Sequence, residues 1–372
     1  MTEQRIAYVV GTTTGGTGRH VAMLAEQCAA RGLAVAVFGP ESTESLFPGV
    51  PFGAVNIGSR PRPGRDAAAV RRLRGLLADC DPDVVHAHGL RAGAAAALAL
   101  RRAGRGRRPA LQVTVHNAAP AGIGSAVIYR RLERLVARRS DSVLCVSTDL
   151  ALRMRRAGAR HVAVAVVVAP ALVPASDDDV AKARAEIGAQ GRQIVLAAGR
   201  LARQKGFDVL LEALIGLRGR GLEPVLVLAG DGPMAGQLAS LTRQAGLPVR
   251  FLRHRADIPA LLGAADVVVV PSRWEGQPLI VQEALQAGRP IVASRVGGIP
   301  DLTGDDGALL VRAGVPAALE SAIAGVLSDP ALAQSLGAAA LARAGMLPAE
   351  ADAIDAAIVG YARLAADAGR PA

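Results

Sequence analysis

Aromatic residues are almost missing: Phe, Trp and Tyr together make up 2% of the 372 residues. This removes the stacking platforms on which unpaired nucleic-acid bases are held. Cysteine occurs three times, as Cys28, Cys80 and Cys145. Three scattered thiols make neither a disulfide frame nor a zinc site, and a reducing cytosol fits them. No apolar run approaches the ~18 residues of a transmembrane helix. Met1 to Arg5 lead straight into a strand-like run, so no leader pattern is read there. Lysine is absent from the first 170 residues. They hold 24 Arg against 11 acids, a balance of +13, while the remainder holds 19 basic against 21 acidic residues, a balance of −2. The positive excess therefore lies wholly in the first half. Either an Arg- and Ala-rich composition produces it without a partner, or an anionic acceptor or membrane surface is met there.

What is present is a globular chain: 51% hydrophobic, 20% charged, and long enough for two domains. Ile6 to Val10 is a continuous apolar run, the mark of a strand buried on both faces. Further strands are expected at about 34–38, 53–57, 83–88, 111–116, 142–146 and 162–168, with helices at about 19–31, 66–79, 91–103, 125–139 and 148–157. Residues 169–179, with Pro170, Pro174 and three consecutive acids, read as an interdomain linker. The alternation then restarts, with strands near 193–198, 224–229, 249–252, 266–270, 290–294 and 308–311. Helices near 316–327, 331–344 and 349–367 close the chain. Strands alternating with helices imply parallel, doubly wound sheets.

The chemistry gathers at strand ends. After the first strand comes Thr12-Thr13-Thr14-Gly15-Gly16-Thr17-Gly18, a loop whose glycines allow close approach of a phosphate or sugar. It is no P-loop, because no Lys follows the glycines. It also lacks the third small residue of a dinucleotide fingerprint, although Glu41 sits where a ribose-binding acid would be. His86 and His88 end one strand and His116 another. Three histidines invite a metal, but no carboxylate or thiol follows at ligand spacing. Donation of hydrogen bonds to a ligand is the better reading, with satisfied structural histidines as the bland one. Arg130, Arg134 and Arg138 form a basic stripe on an amphipathic segment opposite Ile128, Leu132 and Leu135, and 101–108 is a basic loop. In the second half, Gly199-Arg200-Leu201-Ala202-Arg203-Gln204-Lys205-Gly206 joins a strand to a helix. Two or three cations at such a junction can clamp a diphosphate, or can simply be a basic loop. Glu275-Gly276-Gln277-Pro278-Leu279, with Glu283 about a turn into the next helix, puts two carboxylates beside another strand end. They can accept hydrogen bonds from hydroxyls, or merely stabilise a helix N-terminus.

In order and spacing these pieces resemble the retaining glycosyltransferases of family 4, which have the GT-B fold. The carriers are Gly15-Gly16, Thr114-Val115-His116, Gly199-Arg200-Leu201 with Lys205-Gly206, Gly230-Asp231-Gly232, Pro271-Ser272, Glu275 with Glu283, and Gly297-Gly298-Ile299-Pro300. The resemblance implies an α/β protein of two Rossmann-like parallel-sheet domains facing a cleft. Residues 1–170 would bind the acceptor and 171–345 the nucleotide-sugar donor, and 346–372 would form a C-terminal helix able to pack back on the first domain.

The resemblance also implies roles. Arg200 and Lys205 would hold the donor diphosphate, Glu283 the ribose hydroxyls, and Glu275 the hydroxyls of the sugar. His116 would sit near the anomeric carbon. Gly15 and Gly16 would line the site, and backbone N–H groups around Gly276, Gln277, Pro278 and Leu279 would touch sugar or phosphate. Arg253 would lie beside the base. Thr17, His20, His88 and Arg91 are the expected acceptor contacts, and no metal or other cofactor is expected. A UDP- or GDP-sugar is the expected co-substrate, and the acceptor is a lipid-linked or small-molecule hydroxyl. The expected location is the cytoplasm, with peripheral contact to an anionic membrane through the basic half left open. Two departures stand out: Gln277-Pro278 where relatives commonly have Phe-Gly, and Val168-Ala169-Pro170 where many carry Asn-Gly. A nucleotide-sugar epimerase or phosphorylase on the same architecture, or a binding module that has lost transfer, are the alternatives.

Overall fold

In the computed structural model the described residues are 4–13, 16–58, 61–102, 108–117, 123–189 and 191–369. The chain divides into two units, Met1–Val168 with Pro348–Ala372, and Ala169–Leu347. The first is built on seven parallel strands: β1 (Arg5–Val10), β2 (Ala34–Gly39), β3 (Phe52–Ala54), β4 (Val84–His88), β5 (Ala110–Val115), β6 (Ser142–Cys145) and β7 (Val162–Val164). Their spatial order is β3-β2-β1-β4-β5-β6-β7. The second is built on six parallel strands: β8 (Ile194–Ala198), β9 (Val225–Ala229), β10 (Val249–Arg253), β11 (Val267–Val270), β12 (Ile291–Ser294) and β13 (Leu309–Val311). Their order is β10-β9-β8-β11-β12-β13. Both are doubly wound, and each reverses direction once, between β1 and β4 and between β8 and β11. Ligands of open α/β sheets bind outside the carboxyl ends of the strands at such reversals.

The apolar strands have the reason expected of them. In β8, Ile194 and Leu196 enter one core while Val195 and Ala197 enter the other. Helices cover both faces, so every position is apolar. The first unit has a less usual core. Ile6, Tyr8 and Val10 of β1 pack with Ile354, Tyr361 and Ala365 of the terminal helix, Glu350–Asp367. That helix closes the chain but belongs to the unit that begins it.

Some expectations need correction. The three acids of the supposed linker, Asp177 to Asp179, are the first turn of a helix, Asp177–Ile187. Ser176 caps it, accepting from the Asp179 N–H at 3.2 Å. Acids at that end offset the helix dipole, so they start an element instead of loosening a tether. The true connection is the preceding stretch, strapped to the second unit where Ala169 N donates to Gln282 Oε1 at 2.8 Å and Leu172 N to Gln286 Oε1 at 2.6 Å. Ile128 does not line a packed face; it is 42% exposed, and Glu133, Val136 and Ala137 are buried on its helix. Arg130, Arg134 and Arg138 are exposed. The middle of the basic loop, 103–107, lies outside the described residues.

Candidate active site

The second unit concentrates its polar groups at the β8/β11 reversal. β8 ends at Ala198, and Gly199 leaves it with φ +145°. The chain returns to helix at Phe207 through Gly206, which has φ +65°. A Cβ on Gly206 would lie 2.1 Å from the Pro271 carbonyl oxygen, at the end of β11. The two loops therefore touch through backbone, and only glycine fits. Gly206→Ala should cost about 1–3 kcal/mol, read as a lower unfolding midpoint in urea; an unchanged midpoint would show that the loops can part freely.

That contact sets Lys205 against Glu275. Lys205 Nζ donates to Glu275 Oε1 at 2.5 Å, Ser272 Oγ donates to the same oxygen at 2.7 Å, and Gln204 Nε2 reaches Oε2 at 3.3 Å. Glu275 is buried and the Lys205 side chain keeps 18% exposure. A second tie holds the same loops: Arg273 N donates to Gln204 O at 2.7 Å, and its guanidinium grips both Asp208 oxygens at 2.6 and 2.9 Å. Burial pushes the Asp208 carboxyl up, but the hydrogen bonds and charge of Arg273 outweigh it and hold the group below its ordinary range. The Gly297-Gly298 turn supports the far side. A Cβ on Gly297 would meet the Glu275 carbonyl oxygen at 2.1 Å, and Gly298 N donates to Gly276 O at 2.8 Å.

Lys205 and Glu275, expected on the phosphate and the sugar respectively, are thus direct partners. Arg200 is exposed one residue past Gly199. Glu283 is buried on the Leu279–Gln286 helix. Arg253 is exposed, at the end of β10, in the left-handed region with φ +52°. Its carbonyl accepts from Gly230 N at 2.6 Å, and His254 N donates to Asp231 Oδ2 at 3.1 Å, so Gly230-Asp231-Gly232 braces that strand end. Pro278 is buried and precedes the helix. It has no N–H to give a ligand, which corrects the expectation of backbone donors through Gln277 to Leu279. Sequence reasoning missed Gln204, Asp208 and Arg273, and gave Ser272 no task. For Gln204 and the Asp208–Arg273 pair the spacing carries no signal, because their partners lie 65 to 71 residues away in the chain.

The first unit gathers histidines near the β1/β4 reversal. Gly15 lies outside the described residues. Gly16 opens the Gly16–Ala30 helix, which carries Thr17 and buried His20. His86 and His88 end β4, and His116 follows β5, all buried. His88 Nδ1 lies 3.0 Å from His116 Nε2, and the His20 ring stands edge-on to both. His86 Nε2 lies 2.7 Å from Thr114 Oγ1 and 3.4 Å from the Gln112 amide nitrogen, and His86 Nδ1 lies 2.7 Å from Tyr361 Oη. Tyr361 in turn meets Tyr8 Oη at 2.9 Å. Burial favours the neutral imidazole: it brings His20 to about 4 and His116 to about 3, and holds His86 and His88 well below their usual value. Arg91 is occupied internally, donating to Gly58 O at 2.5 Å and pairing with Asp66 at 2.6 Å. Among the described residues no group of three or more His, Cys, Asp or Glu side chains is arranged to hold a metal ion.

Two tandem parallel sheets with polar groups at their reversals match known proteins. Residues 14–168 match the model of "Glycosyltransferase Family 4", and residues 192–329 that of "Glycosyl transferases group 1". The GDP-mannose-dependent alpha-(1-6)-phosphatidylinositol monomannoside mannosyltransferase of Mycolicibacterium smegmatis is 31% identical over 72% of this chain and 73% of its own. The glycogen synthase of Mycobacterium tuberculosis is 31% identical over 88% of this chain and 86% of its own. Alpha-D-kanosaminyltransferase of Streptomyces kanamyceticus is 36% identical, but the match spans 36% of that relative's length. Among solved structures, Anabaena HepE in complex with UDP superposes with a TM-score of 0.81 at 22% identity, over 97% of this chain and all of that one. The chain belongs to the family 4, or group 1, glycosyltransferases, and its fold is GT-B.

Proposed function

We propose that the chain moves a sugar from a nucleoside-diphosphate sugar to an acceptor hydroxyl with retention of anomeric configuration, the second unit holding the donor and the first the acceptor. The observation that carries this reading is the Lys205–Glu275–Ser272 cluster at the β8/β11 reversal. An ammonium has three donors, and Glu275 takes one of those on Lys205. Two remain for phosphate oxygens, with the side chain already oriented. Glu275 Oε2, touched only weakly by Gln204, keeps lone pairs for a sugar hydroxyl. As the glycosidic bond breaks, charge grows on the leaving diphosphate. Lys205, Arg200 and backbone N–H groups would stabilise it electrostatically. The leaving phosphate would take the acceptor's proton, and these cations would serve in place of a metal. Glu283 would hold the ribose and Arg253 would lie beside the base. Neutral His116 would act at the sugar, with Thr17, His20 and His88 toward the acceptor.

The donor class is drawn from relatives: HepE was crystallised with UDP, and the M. smegmatis relative is named for GDP-mannose. A thermal-shift panel of UDP-, GDP-, ADP- and dTDP-sugars tests it, because a ligand that binds only the folded state raises its apparent stability. One nucleotide class should raise the midpoint by several degrees; no shift with any of the four would overturn the reading. The acceptor is a lipid-linked or small-molecule hydroxyl. Among the described residues no helix is long and apolar enough to cross a membrane. The exposed Arg130, Arg134 and Arg138 stripe favours peripheral contact with an anionic surface on the cytoplasmic side.

A further inference from the structure

We infer that Gln277 selects the donor sugar: its side-chain carbonyl accepts a hydrogen bond from one hydroxyl or amino group of that sugar. The inference rests on the donor reading of the second unit. Gln277 Oε1 is buried and has no hydrogen-bond partner, alone among the described side-chain polar atoms of that unit. Its surroundings are otherwise satisfied. Each Glu275 oxygen has at least one protein donor, and Gly276 O accepts from Gly298 N. A buried carbonyl left without a donor is a cost that native structures rarely keep unless something else supplies the donor.

The loop cannot easily relieve that cost by moving. The Gly297 turn presses on the Glu275 carbonyl, and Pro278 restricts the backbone of the residue before it to extended conformations. The unpartnered atom is an acceptor. A hydroxyl or amine is complementary to it, whereas the ionised oxygens of a phosphate or carboxylate are not. Gln277 lies two residues from Glu275, so the group it meets belongs to the same sugar.

Titration calorimetry on the full chain tests this. UDP-glucose and GDP-mannose are the probes, and whichever binds is then replaced by its 2-, 3-, 4- and 6-deoxy forms. Wild type should lose about tenfold or more in affinity for one deoxy form. Gln277→Leu should bind that form and the parent alike, and Gln277→Glu, which keeps the acceptor, should restore the difference. A 2-amino or 3-amino counterpart that outbinds the parent only when Gln277 is present would support the same contact with an amine as the donor. If Gln277→Leu discriminates among all the deoxy forms as wild type does, the inference is overturned while the donor reading stands. If neither binds, the ADP- and dTDP-sugars of the thermal-shift panel take their place, and if none of the four binds, both fall.

Discussion

Lys205→Ala should lower sugar transfer by about 100-fold or more and should also destabilise the second unit. The first effect follows from removing the oriented cation from the leaving diphosphate. The second follows from Glu275, which is 5% exposed and would be left charged without its ammonium partner. Breaking one side of a buried pair costs about 3 kcal/mol or more. Adding Glu275→Gln should return most of the stability, because a neutral amide can stay with Ser272 and Gln204. It should return none of the turnover. Urea unfolding and steady-state rates on the single and double variants separate the two. Near-wild-type turnover in folded Lys205→Ala would remove this residue from the proposed chemistry.

Acid should unfold the first unit before the second. His20, His86, His88 and His116 are buried together, and each is held below the ordinary imidazole value, first by desolvation. Unfolded, each titrates near 6.5, so below that pH the unfolded chain binds more protons than the folded one. Stability is complete above pH 6.5 and falls as pH drops toward about 4 for His20 and about 3 for His116. Each group contributes a slope of up to about 1.4 kcal/mol per pH unit. Four such groups act in the same direction, against a domain stability of only about 5–15 kcal/mol. The remaining influences on these rings are other histidines, whose charges would repel, so nothing in the cluster offsets the loss. Placement of the chromophores makes the test direct. Trp274, the single tryptophan, is in the second unit, and all three tyrosines are in the first. Tyrosine signal should change between pH 6.5 and 4.5 ahead of tryptophan signal; coincident changes would refute the order.

Sheets were easier to read than sites. Ile6–Val10, Ile194–Ala198 and Val267–Val270 are apolar throughout because helices cover both faces of their sheets, and such runs announce themselves. β3 and β7 are shorter than expected, ending at Ala54 and Val164, because they are edge strands paired on one side only. Their apolar residues continue after the ladder stops. The Asp177–Ile187 helix was hidden because three acids after two prolines look like a tether unless Ser176 is recognised as a cap. Within the site, Arg200, Lys205, Glu275 and Glu283 were visible as charges at strand ends. That Lys205 and Glu275 are partners was not, since the two loops lie 70 residues apart in the chain and meet only in the folded sheet. Arg91 shows the converse: a cation at a strand end can be fully employed holding its own unit, here by Asp66 and the Gly58 carbonyl.

The terminal helix also sets an order of events during synthesis. Its Tyr361 completes the core around Tyr8 and bonds to His86, so the first unit cannot finish folding until Tyr361 itself has left the ribosome. The second unit, Ala169–Leu347, is complete earlier. A nascent chain released short of Glu350 would therefore carry a finished second unit attached to an open, apolar-lined first unit, the kind of species that chaperones and proteases capture.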